Sequence, residues 1–113
     1  MRDDIKINER AKAISNQLIE KLEQIYDPEI EVDIYNLGFI YEIQLDEQNH
    51  CDITVTFTGI GCECIESVPI EIEAALLQIP VIKSVEVHIV WSPAWKITRI
   101  SRFARISLGI NPG

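Results

Sequence analysis

The sequence predicts an α+β domain: a small mixed three-stranded sheet covered by helices in two layers. Three observations carry that expectation. The hydrophobic period switches between helical and alternating along the chain, in the order α-β-β-α-β-α. A short polar turn, Asp46-Glu47-Gln48-Asn49-His50, joins the first two alternating runs, as in an antiparallel hairpin. A helical stretch then separates the second run from the third, so the third strand runs parallel to the second.

Each element has its own signal. Residues 1–7 show no period and are expected to fray, as are residues 111–113. Asn8 is a good N-cap for a helix from Glu9 to about Tyr26, with Ile14, Leu18, Leu22 and Ile25 on one face. Pro28 stops it, because proline lacks a donor and forces Asp27 out of helical geometry. Leu37, Phe39, Tyr41, Ile43 and Leu45 alternate with polar residues and read as a half-buried strand from Tyr35 to Leu45. Gly38 within it marks a bulge or a close backbone approach. In the next strand Cys51, Ile53, Val55 and Phe57 share one face, while Asp52, Thr54, Thr56 and Thr58 share the other.

A helical stripe of Ile65, Val68, Ile72, Leu76 and Ile79 follows. Pro69 cannot sit deep inside a regular helix, so either it lies in the first turn with Ser67 as cap or the helix starts nearer Cys64 and bends; a first turn between Cys64 and Ser67 is expected. After Pro80 the third strand turns Val85, Val87, Ile89 and Trp91 inward and Glu86 and His88 outward. His88 therefore reads as a surface strand histidine and His50 as a turn residue, neither as a ligand. Trp91-Ser92-Pro93-Ala94-Trp95 is a rigid corner whose tryptophans suit packing, and a helix from about Thr98 to Leu108 closes the chain with Ile100, Phe103 and Ala104 inward. No linker or repeat interrupts residues 1–113, so one domain is expected.

Composition narrows the function classes. Hydrophobic residues make up 47% and charged residues 25%, as in ordinary globular proteins. No apolar run approaches the ~18 residues of a membrane span. The net charge of −8 argues against nucleic acid as a partner. Residues 96–113 carry Lys96, Arg99, Arg102 and Arg105 and no acid, which leaves −12 on residues 1–95 once those four charges are subtracted. A solvated helix face is the favoured reading of that basic stretch. Three cysteines and no secretory leader pattern at Met1–Lys6 point to reduced thiols and a cytoplasmic setting.

The chemistry concentrates in Thr58-Gly59-Ile60-Gly61-Cys62-Glu63-Cys64. Strand parity puts Cys51 in the core, as a small inert residue. Cys62 and Cys64 lie beyond the strand end, at or just before a helix N-terminus that stabilises a thiolate. There is no phosphate-binding loop and no Gly-x-Ser-x-Gly elbow, and no histidine is placed by sequence beside Cys62, so an enzyme is not expected. Closed zinc sites and iron–sulfur clusters want four ligands, and this loop offers two thiols. A second copy, a partner, or carboxylates such as Asp27 and Glu29 would supply the rest. Spacing alone leaves both a thiolate–metal contact and a structural cysteine pair open. The acidic run Asp27-Pro28-Glu29-Ile30-Glu31-Val32-Asp33 reads first as a solvated connector and second as a set of oxygen ligands.

Asp27-Pro28-Glu29, Val32-Asp33-Ile34, Asn36-Leu37-Gly38-Phe39-Ile40-Tyr41, Thr58 with Gly61-Cys62, Trp91-Ser92-Pro93-Ala94-Trp95, and Ala104-Arg105 with Leu108-Gly109-Ile110 together resemble the SufT-like iron–sulfur cluster maturation domain family, which PaaD proteins and the eukaryotic cytosolic iron–sulfur targeting subunit share. The resemblance spans about residues 14–110. It implies an accessory factor that carries clusters, or adapts their delivery, to recipient apoproteins. The family's characteristic cysteine falls on Cys62, where the resemblance implies a transient iron–sulfur cluster or iron; Cys64 is a second thiol outside that pattern, expected either to raise the affinity for iron or cluster or to form a redox pair with Cys62. Asp27, Glu29, Thr58 and Gly61 would shape the loop, and Trp91, Pro93 and Trp95 would be structural. Assembly scaffolds or carriers and recipient apoproteins are the implied partners. A homodimer is expected, since pooling two loops gives four thiolates. Glu63 stands where the family usually has proline, and Arg102-Phe103 where it usually has an acidic pair. Two other roles are weighed beside this one: a PaaD-like assembly factor for an aromatic-acid ring-hydroxylating oxygenase, and a thiol redox switch.

Overall fold

The computed structural model describes residues 1–27, 32–58 and 64–107. Its elements run β1 (Lys6–Ile7), α1 (Glu9–Lys12), α2 (Ser15–Leu22), α3 (Ile34–Leu37), β2 (Ile40–Leu45), β3 (His50–Val55), α4 (Cys64–Leu76), β4 (Ser84–Ile89), a 3-10 turn (Ile97–Arg99) and α5 (Arg102–Ser107). The fold is mixed α+β, as the periodicity predicts. The sheet has four strands rather than three, in the order β1-β2-β3-β4. β2 and β3 pair antiparallel, β3 and β4 parallel, and β1 and β2 parallel.

The extra strand corrects the expectation that residues 1–7 fray. Lys6 and Ile7 pair with Glu42 and Ile43, and Ile5 is buried. Arg2 ties the segment down: its Nη1 donates to the Tyr35 carbonyl at 3.0 Å, and its Nη2 donates to the Arg99 carbonyl. Two residues are too few for alternation to register, so periodicity had nothing to read there.

The first helix is also shorter and broken. Asn8 caps α1 by accepting from Ala11 N, as expected. The helix then interrupts at Ala13–Ile14, resumes as α2 and stops at Leu22 instead of running to Tyr26. Tyr26 instead bridges Asp33, which closes the acidic segment into a loop.

The expected strand from Tyr35 begins five residues late. Asp33 accepts from Asn36 N through its side chain and so caps α3, and Gly38 ends that turn at φ +78°. A Cβ at Gly38 would lie 2.6 Å from the Arg99 carbonyl oxygen, so this is a close backbone approach. A register shift between Ile40 and Glu42 then breaks the alternation. Ile40 is buried, while Tyr41 turns partly out.

The core is one cluster on one face of the sheet. It joins Leu18 and Leu22 of α2, Val68, Ile72 and Leu76 of α4, Ile43 and Leu45 of β2, and Cys51, Ile53 and Val55 of β3. Each such aliphatic side chain contributes about 1.5–3 kcal/mol through burial. α4 starts at Cys64, at the early end of the range the sequence predicts, and holds Pro69 inside its length rather than in its first turn. The C-terminal helix divides into the 3-10 turn and α5, with Ile100 and Ala104 buried. Phe103, expected inward, is 75% exposed, because the break at Ile100–Ser101 resets the helical phase. Trp91 likewise falls beyond β4 and is 41% exposed, not in the core.

Candidate functional site

Of the predicted site residues, Pro28 and Glu29 lie outside the described residues, as do Gly61, Cys62 and the Cys64 side chain. The structure describes what frames them. The acidic loop is closed by the Asp27 N–H donating to the Val32 carbonyl at 3.1 Å. Asp27 itself is buried, at 1% exposure. At the far end Asp33 takes hydrogen bonds from Asn36 N at 2.9 Å and from Asn36 Nδ2 at 2.9 Å. The two described ends of the acidic run, Asp27 and Asp33, are therefore buried and hydrogen-bonded rather than solvated as composition favours.

The thiol segment is framed by β3 on one side and α4 on the other. β3 continues into Thr56, whose N–H donates to the Phe39 carbonyl at 2.8 Å. The Thr56 side chain is fully buried, and its hydroxyl has no hydrogen-bond partner among the described residues. Thr58 is exposed at the loop's entry. Cys64 is the first residue of the 13-residue α4.

Trp91 and Trp95 meet the same region through aromatic contacts. Phe57 sits 6.5 Å from Trp91 and 5.6 Å, edge-on, from Phe39; Phe39 in turn sits 5.8 Å from Trp95. Trp95 Nε1 donates to the Leu37 carbonyl at 2.7 Å. The Pro93 carbonyl accepts from the Tyr41 hydroxyl at 2.7 Å, next to a cis Ser92–Pro93 peptide. The rings therefore form a file from the proline corner to the residue before Thr58. Arg99 locks the corner from below, donating through Nε to the Gly38 carbonyl at 2.8 Å and lying 4.3 Å over the Tyr41 ring. Arg105 donates to the Ile100 and Thr98 carbonyls. These two cations of the C-terminal stretch thus engage the protein's own backbone rather than lining a solvated face. A cleft of about 400 Å³ opens beside this corner, lined by Lys6, Tyr41, Glu42, Thr54, Pro93 and Arg99 among others.

Cys51 occupies the core position that parity predicts. It is fully buried, and burial, with the neighbouring Asp52 charge, pushes its thiol up to about 11. It is a poor thiolate at neutral pH.

One arrangement was not legible in the sequence. His50 is not a turn residue but the first residue of β3, and β3 lies in register with β4 so that His50 faces Ser84, Asp52 faces Glu86 and Thr54 faces His88. His88 Nε2 lies 2.9 Å from Asp52 Oδ1 and 3.1 Å from Glu86 Oε2. His50 Nε2 lies 3.4 Å from the same Asp52 oxygen. The hydrogen bond from His88, with the two imidazoles nearby, holds the Asp52 carboxyl below the usual carboxylate range. The signal in the sequence was parity alone: His50 and Asp52 share one outward face, and so do Glu86 and His88. Only the strand register joins the two pairs.

Comparison with known proteins agrees with this architecture. The iron–sulfur cluster assembly protein family matches residues 15–89. The Fe-S protein maturation auxiliary factor YitW of Bacillus subtilis is 42% identical over 99 residues, covering 88% of this chain and 97% of YitW. The Fe-S protein maturation auxiliary factor SufT of Staphylococcus aureus is 38% identical, covering 77% of this chain and 99% of SufT. The crystal structure of a DUF59 domain from Bacillus anthracis superposes with a TM-score of 0.83 at 40% identity, over 92% of this chain and 100% of that one.

Proposed function

Because the chain belongs to the iron–sulfur cluster assembly protein family, we propose that it is a non-enzymatic accessory factor in iron–sulfur protein maturation, carrying a cluster or iron as cargo or adapting its delivery to recipient apoproteins. The observation that carries this reading is the match, at 42% and 38% identity over most of each chain, to two proteins named as Fe-S protein maturation auxiliary factors.

In this reading Cys62, with Cys64, contacts the iron or cluster, or the cysteines of the recipient. Asp27, Glu29, Thr58 and Gly61 shape the loop, and the aromatic file ending at Trp91 and Trp95 shields it. Two features support it physically. Cys64 opens a helix of 13 residues, whose N-terminal partial positive charge favours thiolate. Cys51 is buried with a raised pKa, so chemistry falls to the two remaining cysteines. Two thiolates fall short of the four that a permanent cluster takes, which suits a carrier that must release its cargo. The partners are cluster scaffolds or carriers and the recipient apoproteins, in a reducing cytoplasm, and a homodimer that pools two loops completes the ligand count.

Anaerobic reconstitution with iron and sulfide tests the ligand assignment. The unmodified chain should take up iron and visible absorbance, Cys62→Ser should lose most of both, and Cys64→Ser should lose less. Equal iron and absorbance in all three would remove direct ligation. Light scattering before and after reconstitution tests the dimer.

A further inference from the structure

The open face of the sheet carries a second constellation that the maturation reading does not use. We infer that His50, Asp52, Glu86 and His88 form a binding site for one divalent first-row transition-metal ion, of the zinc type, separate from the thiol loop.

Four observations converge on it. The ligand atoms of Asp52, Glu86 and His88 all lie within 4.8 Å of one another, and the His50 ring joins them through Asp52. The separations among the joined pairs, 2.9, 3.1 and 3.4 Å, lie within a few tenths of an ångström of the edge of a tetrahedral site, where ligands held at about 2.0–2.2 Å from a metal sit about 3.3–3.6 Å apart. The His50 Nδ1 is engaged by Ser84 Oγ at 2.6 Å, leaving Nε2 as the end that faces Asp52. That is the outer partner a metal-bound imidazole characteristically has, fixing its tautomer and orientation. Finally, all four residues stand on two hydrogen-bonded parallel strands, with Asp52 and Glu86 directly paired. Paired strands hold ligands more firmly than loops do.

The donor set also selects the ion. Two imidazoles with two carboxylates suit zinc, ferrous iron or cobalt, whereas magnesium and calcium take all-oxygen shells. Two neutral imidazoles and two carboxylates carry a charge of −2, which a divalent cation cancels. The competing account is a lattice of histidine–carboxylate ion pairs needing no metal. Such contacts form on exposed strands and contribute little to stability.

The test uses the full chain carrying Cys62→Ser and Cys64→Ser, so that no thiolate of the loop competes. Zinc ion alone is titrated by calorimetry, and the imidazole nitrogens are followed by NMR. The expected result is one zinc per chain, with the Nε2 signals of His50 and His88 both shifting. Adding His88→Ala or Asp52→Asn should weaken binding by about 100-fold or more, since altering even an outer partner of a metal ligand costs up to about that. Both side chains are partly exposed, and thermal melts confirm that the variants fold. Absence of zinc binding, binding that neither substitution weakens, or unmoved imidazole signals overturns the site and leaves the ion-pair lattice. Because the loop cysteines are already removed, none of these outcomes bears on the proposed maturation role.

Discussion

Cys51 and Asp52 are neighbours in the chain and belong to opposite sides of the molecule. Cys51, with Ile53 and Val55, faces the helices and is fully buried; Asp52, with His50 and Thr54, faces solvent. On the covered face, burial silences chemistry: it raises the Cys51 thiol to about 11. On the open face the same pleat gathers titratable groups from β3 and β4 and lowers the Asp52 carboxyl through its bond to His88. One strand therefore separates stability from ligand chemistry by alternation alone.

The comparison is sharpest where the two faces are one residue apart. Ile53→Ala on the covered face should cost about 2–5 kcal/mol in urea unfolding, because it leaves a cavity between the sheet and its helices. The next largest effect lies at the corner that feeds both faces. Gly38→Ala should cost about 2 kcal/mol, since alanine disfavours φ +78° and its Cβ would meet the Arg99 carbonyl 2.6 Å away. Asp33→Ala removes the cap of α3 and should cost about 1 kcal/mol in the same assay.

The covered face also has a pH signature. The folded-state pKa of Cys51 is raised, so its contribution to stability is complete below the unfolded thiol's value of about 8.5 and is lost as pH rises toward about 11. Unfolding free energy should fall over that alkaline window, and Cys51→Ala should flatten the fall; a slope unchanged by that substitution would place its origin elsewhere.

The smallest effect is expected on the open face. Asp52→Asn should change stability by less than about 0.5 kcal/mol, as exposed ion pairs do. A loss comparable to that of Ile53→Ala would break the contrast and make the open face structural. A negligible loss, beside a large loss of zinc affinity, would sharpen it.

Much of this was legible in the sequence because it rests on short-range periods. Parity assigned Cys51 to the core, and the helical stripe of Val68, Ile72 and Leu76 marked the inner face of α4. Asn8 announced its cap. The failures share a cause as well. β1 is too short to show a period, the Ile40–Glu42 irregularity shifts one, and the break before α5 resets another, which sent Phe103 outward. Asp27 looked solvated because composition cannot see the hydrogen bond that closes its loop.

By itself, the sequence determined the alternation of faces and the order of most elements, because each depends on residues close along the chain. Tertiary structure alone decided which residues from distant segments meet. Arg99 reaches Gly38, the aromatic file runs from Trp91 to Trp95, and His50 and Asp52 stand against Glu86 and His88 because β4 pairs with β3 in one particular register. A shift of one residue would turn Val85, Val87 and Ile89 out to solvent, which the alternation of the strand forbids, but a shift of two would keep both faces and part His88 from Asp52, and alternation alone does not specify against that. The packing of Val85, Val87 and Ile89 against the core is what fixes the register.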